Sequence, residues 1–181
     1  MIKKKNVLAI IGSASGNSSN LRLVKWIQEY TSEKFDITIF DALSALPHFN
    51  PEQSIGETPQ PVLDFRELVL KSDGIIICTP EYIFSIPSAL KNAIEWCVAT
   101  TVFSRKPLGI ITASAGGQKG HEELQLIMKA IEANFIKETT LLIQGIKGKI
   151  DAEGNISDDK TKSDLQNFIA SFYQLVINAG D

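Results

Sequence analysis

Cysteine and histidine are scarce in this chain of 181 residues, with two of each. Cys78 and Cys97 show no CxxC spacing, and with only His48 and His121 beside them there is no ligand set for a structural zinc. Both thiols read as buried and reduced. An excess of charge of one sign is also missing. Eighteen Lys and Arg stand against 21 Asp and Glu, a net charge of -3, so no positive field draws the chain to nucleic acid or to an anionic membrane. Long hydrophobic runs are absent too. The Lys3–Lys5 cluster looks like the start of a signal peptide, but the VLAII that follows is too short for an h-region or a membrane span, which points to a cytoplasmic protein.

What is present is the balance of a globular protein, 44% apolar and 22% charged, at a length that suits one domain over 1–181 rather than two. Continuous apolar runs at Val7–Ile11, Ile37–Phe40, Ile75–Cys78, Leu108–Thr112 and Leu141–Ile143 suit strands buried on both faces. Helical spacing falls between them, at Leu23, Trp26, Ile27 and Tyr30, at Val62, Phe65 and Val69, and at Leu124, Ile127, Met128 and Ile131. A last stripe, Leu165, Phe168, Ile169 and Phe172, follows the fifth strand. This β-α alternation predicts an α/β fold, a parallel sheet with helices on both faces. Two irregular stretches stand out. Residues 42–60 carry three prolines and form a connection long enough to shape a site, while residues 145–157 read as a small hairpin or exposed turn before a helix capped by Ser157 or Asp158.

In such sheets ligands bind beyond the carboxyl ends of the strands. Three loops lie there. Gly12–Asn20, GSASGNSSN, offers glycines, hydroxyls and a helix N-terminus to a phosphate. Its spelling excludes other phosphate sites: there is no GK[ST], no GxGxxG, no cysteine nucleophile, and Ala14 stands where a nucleophile elbow needs serine. The second loop, from Pro80 through Glu81, Tyr82, Ile83 and Phe84 to Ser85, offers a surface for a flat ring, and lacks the acceptor aspartate of a response regulator. The third, Thr112–Gly120, presents main-chain amides at Gly116 and Gly117 to a ring edge. Read singly, each loop has a plainer alternative: a turn capped by Ser18 or Ser19, an aromatic plug, a flexible linker. Read together they suit one ligand with a phosphate, a planar ring and polar ring edges, which describes flavin mononucleotide (FMN) better than a nucleoside triphosphate.

GSASGNSSN, PEYIFSIPSALKNAIEW and SAGG together resemble the GSxRxxSxN, PEYNxSxPxxLKNAIDW and Gly-Gly loop of the NADPH-dependent FMN reductase family, along nearly the whole chain. The resemblance implies a flavodoxin-like three-layer α/β/α fold with five parallel strands in the order 2-1-3-4-5. It implies bound FMN, NADPH or NADH as co-substrate, and hydride passed on to a small acceptor such as a quinone, free flavin, azo compound or metal oxyanion. Ser13, Ser18 and Asn20 are implied at the phosphate, Pro80, Glu81 and Tyr82 along the ring, and Ser114, Gly116 and Gly117 at its pyrimidine edge. Ser15 and Ile83 occupy the family's arginine and asparagine positions in the same site, and Arg22 or Lys25 are the cations placed to replace the missing arginine. Family members are homodimers or homotetramers, which implies an interface role for Phe84, Leu90 and Trp96. The competing expectations are a flavodoxin-type electron carrier and a flavin-free binding module of the same fold. His121 is expected in solvent, and His48 at the pocket mouth.

Overall fold

The computed structural model describes residues 3–179. Strands form where the apolar runs lie: β1 (Lys5–Ile11), β2 (Phe35–Phe40), β3 (Gly74–Thr79), β4 (Leu108–Ser114) and β5 (Thr140–Gln144). All pair in parallel, in the order β2-β1-β3-β4-β5, with Val7 opposite both Ile37 and Gly74, and Ile77 opposite Ile110. The expected flavodoxin-like order is therefore present. Every residue of β3, the central strand, is buried. That burial explains its unbroken GIIICT, because a strand covered on both faces has no solvent side to make polar.

Side chains alternate across the pleat and divide the core in two. Val7, Ala9, Ile11, Ile76 and Cys78 face α1 (Ser19–Tyr30) and α6 (Asp159–Asn178), whose Leu23, Ile27, Leu165, Phe168 and Phe172 close that layer. Leu8, Ile10, Ile75, Ile77 and Ile110 face α3 (Gln60–Lys71), α4 (Ser88–Glu95) and α5 (Gln118–Ala130), through Phe65, Val69, Leu90, Ile94, Leu124 and Met128. Two caps set where helices begin. The Ser18 hydroxyl accepts from the Leu21 amide at 3.1 Å, and the Asp158 carboxylate from the Thr161 amide at 2.8 Å.

The 42–60 connection does not shape the cavity at the strand ends, as its length suggested. It forms a 3-10 turn at Leu43–Ala45 and the short helix α2 (Pro51–Ile55), and it lies over α4. Trp96 Nε1 and Asn92 Nδ2 both donate to the Pro47 carbonyl, at 2.7 and 2.9 Å, and Phe49 meets the Trp96 ring edge-on. His48 is exposed on this connection, away from the cavity it was expected to border. Leu90 and Trp96, expected at a subunit interface, are fully buried within the chain's own core, which leaves Phe84 as the exposed member of that trio.

Arg66 on α3 ties the connection down. Its guanidinium donates to the Ser54 carbonyl and hydroxyl at 3.2 and 3.1 Å, and to the Trp96 carbonyl through Nε at 2.9 Å. Arg66→Ala is expected to cost about 2–3 kcal/mol of stability by stranding part-buried acceptors. Denaturant unfolding measures that loss, and limited proteolysis should find new cleavage near α2. An unchanged midpoint with no new cleavage contradicts it.

Candidate functional site

The strand order reverses direction between β1 and β3, and their carboxyl ends part there. The parting begins at Gly12, whose amide donates to the Cys78 carbonyl at 2.9 Å. A Cβ on Gly12 would stand 2.2 Å from Thr79 Oγ1, so only glycine fits this approach. Beyond it opens a cavity of about 870 Å³, within the range of small-molecule sites.

Four connections line the cavity. From β1–α1 come Ser13, Ser15, Asn17, Ser18, Ser19, Asn20 and Arg22. Pro80 and Tyr82 enter from β3–α4, and Ala113, Ser114 and Ala115 from β4–α5. The fourth group, Gly145–Lys147 and Ile150–Ala152, belongs to β5–α6. Of the two shapes expected for that segment, hairpin or exposed turn, the Ile150–Ile156 bridge matches the hairpin, and its part in the site was not expected. The available signal was topological: β5 pairs beside β4, so the chain leaving β5 must emerge next to the third loop.

At the β1–α1 end the donors fit an anion. Ser18 satisfies the Leu21 amide and the Ser18 carbonyl takes the Arg22 amide, so among the described residues the Ser19 and Asn20 amides at the start of α1 have no partner. The Asn20 side chain is otherwise engaged. It is buried, donates from Nδ2 to the Ala113 carbonyl at 3.2 Å and accepts from Cys78 Sγ at 3.3 Å. Asn20, implied at the phosphate, lines the cavity while its side chain clamps α1 to β3 and β4, and its main-chain amide has no partner among the described residues. Arg22 lines the cavity and Lys25 does not. The Arg22 guanidinium donates to the Asp151 carbonyl at 3.0 Å and to the Ser19 hydroxyl at 3.3 Å, while its buried Nε has no partner. Lys147 adds a second cation, and Asp151 is the one acid of the lining.

At the β3–α4 end, Tyr82 and Ser85 exchange backbone hydrogen bonds across a two-residue turn, at 2.9 and 3.1 Å. Its central residues, Ile83 and Phe84, have φ of 51° and 58°. Left-handed backbone at non-glycine residues costs of order 1–3 kcal/mol each, and more for a β-branched residue such as Ile83. Both side chains point to solvent, Ile83 96% exposed and Phe84 77%. Ile83, Glu81, Gly116 and Gly117 all fall outside the cavity lining, unlike Pro80, Tyr82 and Ser114. Glu81 instead accepts from the Gly117 amide just before α5 and the Gly120 amide in its first turn, at 3.2 and 2.8 Å.

Both thiols are free and buried. Burial drives the Cys78 pKa far up, and pushes that of Cys97 up to about 12 despite Arg66 acting the other way. His121, expected in solvent, is buried on α5 with Nδ1 2.9 Å from Thr112 Oγ1. Burial lowers its pKa, against an opposing pull from Glu122.

Loops converging at the β1/β3 switch point, with amides at a helix start on one side and an apolar wall on the other, are the arrangement of a flavodoxin-like α/β protein. The chain belongs to the NADPH-dependent FMN reductase family, whose model matches residues 5–147. It is 31% identical over 174 residues to an NADPH:quinone oxidoreductase of Arabidopsis thaliana, covering 91% of this chain and 88% of that one. An NAD(P)H-dependent FMN reductase of Pseudomonas aeruginosa is 28% identical over 165 residues, with 88% and 89% covered. Among solved structures, FerB, a flavoenzyme NAD(P)H:(acceptor) oxidoreductase from Paracoccus denitrificans, superposes with a TM-score of 0.85 at 25% identity, covering 97% and 98% of the two chains.

A pKa lowered by folding means that the unfolded chain binds the His121 proton more readily. Stability from this group is present above the ordinary histidine range and falls as the pH drops through it. His121→Gln is expected to flatten the dependence of the urea midpoint between about pH 7.5 and 5.5. An identical pH profile in the variant contradicts this assignment.

Proposed function

We propose that the chain is an FMN-dependent NAD(P)H oxidoreductase that reduces a small acceptor of the quinone type. The observation that carries this reading is the cavity at the switch point, with an anion end and an apolar wall. Its size admits a mononucleotide, and its donor set suits a phosphate ester: the Ser19 and Asn20 amides, the Ser13 and Ser15 hydroxyls, and an Arg22 guanidinium with a buried nitrogen left unpartnered. Arg22 supplies from α1 the charge that the family's pattern places at Ser15. Pro80 and Tyr82 would lie along the flavin ring, and Ser114 and Ala115 at its polar edge. FMN held by these residues would supply the redox chemistry, hydride acceptance from the nicotinamide and return of reducing equivalents to the acceptor. The chain's part is to bind and orient, which accords with a site that places neither Cys78 nor His121 in the lining.

The same reading makes the protein a cytoplasmic homodimer or homotetramer of one-domain subunits. Among the described residues no helix is long and apolar enough to cross a membrane. The exposed Phe84 is the residue of the expected interface that remains free for another subunit.

Anaerobic titration of the FMN-loaded protein tests the function. NADH or NADPH should bleach the oxidised-flavin absorbance, and a quinone should restore it. Retained FMN that neither donor bleaches contradicts the reading. Arg22→Ala should weaken FMN about tenfold while leaving riboflavin, which lacks the phosphate, nearly unaffected, since a hydrogen bond to a charged group contributes about 1.5–3 kcal/mol. Equal losses for the two ligands would remove Arg22 from the phosphate site.

A further inference from the structure

The turn at Ile83 and Phe84 has residues poorly suited to it. Asn and Gly are preferred where both central residues have positive φ, and here the chain places a β-branched and an aromatic residue. Both side chains stand in solvent, so packing at the tip does not hold the turn. What holds its base is α5.

Two carboxylates cross between hairpin and helix in opposite directions. Glu81, just before the hairpin, reaches the Gly117 and Gly120 amides, at 3.2 and 2.8 Å. Glu123, one turn further along α5, reaches back: its Oε2 accepts from the Ser85 hydroxyl at 2.7 Å and from the Ile86 amide at 3.0 Å. Gly120 permits the approach, because a Cβ there would stand 3.2 Å from the Ser85 carbonyl oxygen and 3.3 Å from Glu81 Cγ. One glutamate therefore fixes the start of the hairpin and the other its end. Between them lies Tyr82, the hairpin residue that lines the cavity.

We propose that Glu123 is a positioning residue for the flavin cavity: with Glu81 it locks the base of the strained hairpin onto α5 and so sets Tyr82 at the cavity wall. The inference rests on the flavin reading of that cavity. Neither carboxylate lines the cavity, so the influence of Glu123 passes through the hairpin. A single oxygen takes both donors, and an amide oxygen can do the same. Alanine leaves the Ser85 hydroxyl and the Ile86 amide without their acceptor.

Glu123→Ala and Glu123→Gln, compared with the wild type, test this by hydrogen exchange over residues 80–86, by FMN titration of the apoprotein, and by KM and kcat for a quinone. In Glu123→Ala, exchange at the Tyr82, Ser85 and Ile86 amides should rise about tenfold, with β1, β3 and β4 unchanged. FMN Kd or quinone KM should rise by about fivefold or more while kcat moves by less than about twofold, the pattern of lost binding rather than lost chemistry. Glu123→Gln should restore both. Unchanged exchange at Tyr82 and Ser85 overturns the proposal. So does faster exchange with FMN Kd and quinone KM unmoved, or a glutamine variant that behaves like alanine. If Glu123→Ala does not fold, Ser85→Ala removes one of the two donors to the same oxygen and carries the comparison with smaller shifts in the same direction. Failure of the wild type to take up FMN marks the flavin reading as wrong, and with it this role. Normal uptake with indifferent variants marks only the positioning role as wrong.

Discussion

The approach of β1 to β3 at Gly12 and Thr79 is the constraint on which the site depends. The Gly12 amide reaches the Cys78 carbonyl at 2.9 Å, and a side chain at Gly12 would collide with Thr79. Past this contact the strands have no further partner in one another, and the two segments must diverge. Asn20 then fixes how far they diverge, by joining the first turn of α1 to the Ala113 carbonyl and the Cys78 thiol. A buried amide engaged at both ends costs little to keep and much to disturb. The start of α1 is thereby held over the gap between the central strands, with Ser19 and Asn20 in the cavity lining.

Rigidity at that point contrasts with the surrounding loops, which are held by individual side chains. Arg22 joins the β1–α1 connection to the β5–α6 hairpin through the Asp151 carbonyl, so the charge that suits an anion also ties one wall to another. Asp151 in turn takes the Asn155 amide and side chain at 2.7 and 3.0 Å, which closes the small hairpin. On the other side, the strained turn after Tyr82 relies on α5 for its base. The cavity is thus framed by a sheet whose geometry follows from burial, and by loops whose geometry follows from a few polar contacts.

That division explains what could be read from the sequence. Strands and helices were legible because the inner strands β1, β3 and β4 are buried on both faces and each helix on one, and burial leaves an apolar record. The motif loops were legible as a place and as a family. Which of their residues face the cavity was not: Glu81 and Ile83 flank the lining residue Tyr82 in the chain, yet one turns to α5 and the other to solvent. Positive φ at Ile83 leaves no mark in residue type, since the sequence there is the opposite of a turn preference. The burial of His121 was recoverable, because His121, Leu124 and Met128 follow one helical stripe that the reading began only at Leu124. Pairing between distant segments, such as Pro47 with Trp96 or Arg22 with Asp151, has no local signature at all.

Amide chemical shifts recorded on the isotope-labelled apoprotein as FMN is added locate the ligand without reference to turnover. Shifts should concentrate at Ser13–Asn20, Tyr82, Ser114–Ala115 and Ile146–Ala152, the four connections around the β1/β3 opening, while Arg105 and Lys106 at the opposite ends of the strands stay unmoved. Perturbation centred on Arg105 and Lys106, or saturation without change at Ser19 and Asn20, would contradict the placement of the flavin at the switch point.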